Sequence, residues 1–508
     1  MGIFPSNLRL GASAIALVFA LVFGLVACTS APPPPTDTTP PTVTSHTPAD
    51  AATNVPASDP ITVTFSEALD PATVDDQTVQ LAATGSVALA KSLSLSPDGR
   101  DLVVAPIAAL DLPTTLTLHL GAGIQDLAGN ALSPQSWSWS LPAWLRLGDD
   151  PVSSSVNSTF IYWSMLALDG DGYPVLASNE EQAPQGRVRR WNGTAWLDLP
   201  PVVGAEGSSL ITAVQVDPDG RPVVTWQGYL DATYEWNVYV SRFEGGAWSL
   251  VGDGLMVNPS YYPDSSDLVL DVDGKPVVVW SEKSSPGNSA TDLYVKRWNG
   301  AGWDQLGGKF EVNDDAAVQD VRIVLDAAGN PLVGWGERFF DASFVKTWNP
   351  TSLSWVSLGG SLAASITAPA PGFLSDGTPI AAIRTVDGKV VVVRYTPGGW
   401  TAHTPPVNAA AGASAGRPEL RTAASGELVV AWSEFGGGDS AVHVASYAGG
   451  SWTFLGEPIS ATTPTTLLHA KLVLGPNDVP SLAYTTDRPS DIVPGSFVVE
   501  NFYRRLNR

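Results

Sequence analysis

The sequence predicts an all-β chain: a small N-terminal β-sandwich, then a seven-bladed β-propeller whose ring is closed by an N-terminal strand. Three observations lead there. A tryptophan recurs at Trp144, Trp196, Trp248, Trp303, Trp355, Trp400 and Trp452, spaced by 52, 52, 55, 52, 45 and 52 residues, and each opens a short strand-like run such as AWLDLP or AWSLVGD. A Pro-hydrophobic step, Gly-x-Pro in most repeats, also occurs seven times, at Pro174, Pro222, Pro276, Pro331, Pro379, Leu428 (in place of Pro) and Pro480. The two series are out of phase, because Trp144 has no partner strands before it and the last repeat stops before reaching its tryptophan. Periods of this length mark propellers, and a closed ring has a use for the offset: the orphan strand at Trp144 completes the final sheet.

Each repeat divides into four strands, A to D. In the second unit, ITAVQVD is strand A, Pro222 to Trp226 strand B, VYVSRF strand C and AWSLVG strand D. Asp219-Gly220 and Asp273-Gly274 join A to B, while Asn192-Gly193 and Asn299-Gly300 join C to D; these dipeptides supply the positive φ of tight hairpins. Proline at the start of strand B is tolerated because the first residue of a strand can forgo its N–H. Before the repeats, from 41 to 142, short alternating strands such as ITVTFSEAL, DLVVAPI and SWSWSL fit a β-sandwich of about one hundred residues.

Composition limits the function classes. With 508 residues, 44% apolar and 15% charged, the chain is globular. Its 27 basic against 50 acidic residues give −23, and no basic patch is visible, so nucleic acid is not an expected partner. The single cysteine, Cys28, excludes disulfides and cysteine metal sites. Arg9 precedes an apolar stretch, Leu10 to Ala27, that ends in Leu25-Val26-Ala27-Cys28. This stretch resembles the lipobox of bacterial lipoproteins, which implies cleavage before Cys28 and a diacylglycerol on its sulfur. The expected layout is a signal peptide at 1–27, a Pro/Thr-rich tether at 28–40, the sandwich at 41–142 and the propeller at 143–508. The expected location is the bacterial cell envelope, outside the cytoplasmic membrane, held there by lipid on Cys28.

The sandwich segment carries Pro41-Thr-Val-Thr-Ser-His-Thr-Pro48, Asn54-Val-Pro56, Ile61-Thr-Val-Thr-Phe65-Ser-Glu67 and Asp126-Leu-Ala-Gly-Asn130. With these it resembles the bacterial Ig-like domain of the surface-layer type, with Leu118 where a tyrosine is usual, and the resemblance implies a spacer or adhesive stalk. The propeller repeat lacks the Trp-Asp and Gly-His marks of WD40, and its double glycines follow the tryptophan rather than preceding it as in kelch.

Fourteen of the eighteen tryptophans sit at repeat-fixed positions and are expected to pack between blades. Trp236, in the B–C loop with Tyr229 and Tyr234, escapes the repeat rule and is the best candidate for stacking on a sugar. The Asp-x-Asp-Gly runs at Asp169, Asp217 and Asp271 look like the opening of a calcium loop but lack its terminal Glu, so they read as turns; no metal or cofactor is expected. Glu180, Glu282, Glu337 and Glu434 all lie six residues beyond the strand B anchor. They are expected on the face where B–C and D–A loops gather, either approaching one another around the channel mouth or simply as the first solvated residues after a buried tryptophan. The reading is a lipid-anchored surface binding or scaffold protein that takes a glycan or protein ligand. The alternative is a carbohydrate-active hydrolase or lyase that uses those carboxylates.

Overall fold

The computed structural model describes residues 37–508 apart from 86, 149–150, 157–163, 180–185, 203–207, 231–234, 259–260, 286–288, 363–366, 409–411, 437–438, 462–465 and 490–496. Cys28, Glu180 and Tyr234 therefore lie outside the described residues. Two four-stranded antiparallel sheets form the N-terminal sandwich. One runs Val43–Thr47, Ile61–Phe65, Asp101–Pro106, Lys91–Leu95, and the other Val87–Ala88, Val79–Ala83, Thr114–Leu120, Gln135–Leu141. Period-two alternation aims Val63, Phe65, Leu102, Leu116, Leu118, Trp137 and Trp139 into one core. Leu118 is fully buried there.

Seven further antiparallel sheets follow along the chain, and the protein is an all-β propeller behind its sandwich. Their inner strands are Met165–Leu168, Ser208–Val216, Pro263–Leu270, Val318–Leu325, Ala370–Phe373, Glu419–Thr422 and Thr466–Leu474, numbered here as sheets 1 to 7. Each inner strand packs against the next, and that of sheet 7 packs against that of sheet 1. Strands B, such as Pro222–Tyr229 and Pro331–Glu337, are buried almost throughout because they lie between neighbouring sheets.

The recurring tryptophan has a recurring task. The strand D indole of each sheet donates Nε1–H to a carbonyl just after the strand D tryptophan of the preceding sheet: Trp196 to Leu147, Trp248 to Pro200, Trp303 to Val251, Trp355 to Leu306, Trp400 to Leu358 and Trp452 to Pro405. The seventh bond runs from Trp144 Nε1 to Glu457 O at 2.9 Å, so the series returns to its start. Glycine after the tryptophan is required by the neighbour: a Cβ on Gly252, whose φ is +70°, would lie 2.6 Å from Trp298 and 2.7 Å from Trp303. Strand C supplies the second aromatic, as in the edge-on Trp298–Trp303 pair at 5.3 Å, an arrangement worth about 0.5–1.5 kcal/mol beyond burial.

The chain ends meet in sheet 7, but the outer strand there is in two pieces. Trp144 and Leu145 pair with Leu506 and Arg505, and Ser153–Val156 pairs with the other end of the same strand, from Asn501 to Val498. The repeat spacing predicts Trp144 alone in this place. The second piece, Ser-Ser-Ser-Val, has no hydrophobic alternation to announce it. The C-terminus also grips the sandwich, since Asn507 Nδ2 donates to Val55 O at 3.1 Å and Asn507 Oδ1 accepts from Ala57 N at 2.7 Å.

Candidate functional site

Glu282, Glu337 and Glu434, the three strand B glutamates among the described residues, do not line the channel. Glu282, Glu337 and Glu434 are 1%, 0% and 4% exposed. Side chains two apart on a strand share a face, so each carboxylate meets the indole two residues before it: Trp280 donates to Glu282 at 2.8 Å, Trp335 to Glu337 at 3.0 Å and Trp432 to Glu434 at 2.9 Å. The D–A loop takes the remaining acceptor capacity. Val257 N and Asn258 N donate to Glu282, and Val312 N and Asn313 Nδ2 donate to Glu337. Both expectations for these residues are thereby corrected: strand B is second from the axis, so its carboxylates neither line the axial cavity nor face solvent. In sheet 2, where Gly228 stands in the Glu position, Trp226 Nε1 turns to Ser241 Oγ at 3.0 Å.

The A–B turns are also settled locally. Asp217 Oδ1 accepts from Asp219 N and Arg221 N, and Asp271 Oδ1 accepts from Asp273 N and Lys275 N. Among the described residues, the group of three acidic or histidine side chains with ligand atoms within 4.8 Å of one another is Asp37, Glu67 and Asp126, in the sandwich.

What lies on the axis is a cavity of about 840 Å³ lined by inner strands. Three residues before the end of each inner strand stand Met165, Ala213, Asp267, Arg322, Ala370, Glu419 and Lys471. Six of these line the cavity, the exception being Ala370. Sheets 4 and 6 join past the strand of Ala370, through Arg322. Arg322 meets Glu419 at 2.8 Å, and two residues earlier in each segment Asp320 meets Arg417, just before its strand begins, at 2.8 Å. Lys471 and Arg421 each come within 3.6 Å of the same Glu419. Burial alone would push the Glu419 carboxyl up, but Arg322, Lys471 and Arg421 outweigh it and hold it down to about 2. Burial, with Arg417 adding to it, pushes His469 down to about 4, so this lining imidazole is neutral at pH 7.

At the end of the cavity where strands A begin, Asp264 sits on a bulge of the sheet 3 strand. It has no hydrogen bond or ion pair among the described residues. The surrounding protein pushes its carboxyl up, and Asp320 adds to the rise against Lys283 and Arg338. Two residues before it stands Tyr262, 62% exposed. Tyr262 lies 6.3 Å from Trp236, which in turn lies 5.9 Å from Tyr229, measured between ring centroids. Of the candidates for stacking on a sugar, Trp236 and Tyr229 lie edge to face and Tyr262 joins them, while Tyr234 is outside the described residues. Sequence reasoning missed Tyr262 and all of the axial charges. The available signal was a charged residue inside strands such as VQDVRIVL and LLHAKLVL, where an apolar one would serve a core.

Among curated proteins, none matches the chain. Solved structures that resemble it include an ulvan lyase of a new polysaccharide lyase family, bound to a fragment of glucuronate and sulfated rhamnose (9% identity, 70% of this chain and 94% of that one, TM-score 0.46). Others are AofleA from Arthrobotrys oligospora (12% identity, 61% and 90%, TM-score 0.37) and a lectin of Aleuria aurantia (12% identity, 57% and 94%, TM-score 0.34). Residues 37–140 match the family described as bacterial Ig-like domain.

Proposed function

We propose that this chain is an exported, lipid-anchored envelope protein whose propeller binds a carbohydrate at the mouth of the axial cavity, over sheets 2 and 3. The observation that carries the reading is the group Tyr229, Trp236 and Tyr262 beside Asp264. Partly exposed aromatic rings, next to a carboxylate that is unpaired among the described residues, offer a sugar both an apolar platform and a hydroxyl acceptor. The lipobox-like run ending in Cys28 and the Pro/Thr tether support a location at the membrane surface, with the Ig-like sandwich as spacer. Hydrolase or lyase chemistry through the strand B carboxylates is disfavoured, since Glu282 and Glu337 are held by indole and loop donors. A glycan array probed with the mature chain tests the reading, followed by Trp236→Ala and Tyr262→Ala. Each variant is expected to weaken the best glycan at least about tenfold, or 1.4 kcal/mol. Glycans bound equally well by both variants would place the site elsewhere. No glycan bound at all, with a protein ligand captured by the same face, would replace carbohydrate with protein.

A further inference from the structure

Glu419 is one carboxylate serving three cations: Arg322 at 2.8 Å, and Arg421 and Lys471 at 3.6 Å each. Lys471 lines the axial cavity, and its side chain is 30% exposed. Its Nζ makes no hydrogen bond among the described residues, and Glu419 is its nearest acid there. Arg322, also a lining residue and 6% exposed, keeps a buried Nε–H without a hydrogen-bond partner. A buried donor left unsatisfied is costly, and Glu419 Oε2 is itself buried without a hydrogen-bond partner, so what this wall lacks is negative charge: three cations share one carboxylate.

The sheet 3 strand, which packs directly beside the Arg322 strand, has the other chemistry. Asp264 is unpaired among the described residues, and Asp267 is held in place by Leu268 N and Ile323 N at 2.9 and 3.1 Å. Thr212, Gln227 and Ser266 are linked to one another beside them. Carboxylates and hydroxyls arranged this way accept from and donate to a polyhydroxylated ring. The volume of about 840 Å³ lies within the usual range for small-ligand sites. Between the sheet 3 strand and that of Lys471, sheets 1 and 2 contribute the uncharged Met165, Leu166, Ile211 and Ala213.

Resting on the carbohydrate reading above, we infer that the site selects an acidic sugar, a hexuronate residue whose carboxylate is taken by Lys471 and Arg322 while its hydroxyls meet Asp264 and the Ser266 group. One negative charge matches the shortfall on the Glu419 wall. A doubly charged phosphate would face Asp264, Asp267 and Asp320 inside the same cavity.

The experiment is calorimetric titration of the mature chain with three tetrasaccharides of one backbone, ending in glucuronate, glucose or sulfated glucose. Glucuronate is expected to bind roughly tenfold or more tighter than glucose, the scale of a desolvated charge pair. Lys471→Met should abolish that preference while leaving glucose-terminated binding in place, and Lys471→Arg should retain it. Equal binding of glucuronate and glucose, or a preference that survives Lys471→Met, overturns the inference while the carbohydrate reading stands. A sulfated end bound as tightly as glucuronate overturns the carboxylate assignment. Binding of none of the three by an intact, normally melting protein removes the carbohydrate reading itself.

Discussion

Replacing Glu337 by alanine separates a structural carboxylate from a functional one. Its Oε1 accepts from Trp335 Nε1 at 3.0 Å and Val312 N at 2.9 Å, its Oε2 accepts from Asn313 Nδ2, and both Glu337 and Trp335 are 0% exposed. Alanine leaves the indole N–H buried with no acceptor, at about 1–3 kcal/mol. The two loop donors sit at partly exposed positions where water can replace the lost bonds, which adds about 0.5–1.5 kcal/mol each. Relief of the buried charge works the other way, so a net loss of about 2–4 kcal/mol is expected. Urea unfolding followed by tryptophan fluorescence measures it as a lower midpoint at unchanged slope. Glu337→Gln keeps one oxygen for the indole and should fall between alanine and the parent. A solvated surface glutamate would change stability by no more than about 0.5 kcal/mol. A midpoint identical to the parent, with ligand binding abolished, would refute the reasoning.

Ring closure, the axial charges and the anchor make further predictions. Trp144→Ala should cost roughly 3–5 kcal/mol, as for other buried tryptophans. A chain starting at 157 lacks both outer pieces of sheet 7 and should associate through the bared edge, whereas one starting at 150 keeps Ser153–Val156; if light scattering finds the two alike, the second piece does not protect the edge. His469 is depressed to about 4 when folded, so the unfolded chain binds the extra proton first, and its contribution to stability is lost as pH falls from about 6.5 to 4. Glu419, depressed to about 2, adds a further loss between about 4.5 and 2. Thermal midpoints taken across pH should show the upper of these declines flattened in His469→Gln. Cys28→Ser should abolish acylation and release the chain from washed membranes, and retention there would sink the anchor.

A repeat protein shows its scaffold in sequence and hides its site, for one physical reason. Residues that recur at equivalent positions serve the contact that every repeat makes with the next. The strand D tryptophans donate to the preceding sheet, the glycines beside them make room for the neighbour's rings, and Glu282, Glu337 and Glu434 hold indole to loop. Their periodicity made them legible, but the sequence offers the glutamates only as channel-mouth or solvated carboxylates, and their part in the scaffold appears first in the indole contacts of the structure. A ligand is not sevenfold symmetric, so groups that recognise it have to break the repeat. At one equivalent position the inner strands carry Met165, Ala213, Asp267, Arg322, Ala370, Glu419 and Lys471, a series with no common residue type and hence no periodic signal. The charges of sheets 4 and 6 meet across sheet 5, a fact of three-dimensional closure that no local spacing encodes. Trp236 was found because it fell outside the tryptophan rule. Tyr262, Asp264 and Lys471 fall outside every rule of the repeat in the same way, and departures from the repeat are where the recognition chemistry of this propeller is to be sought.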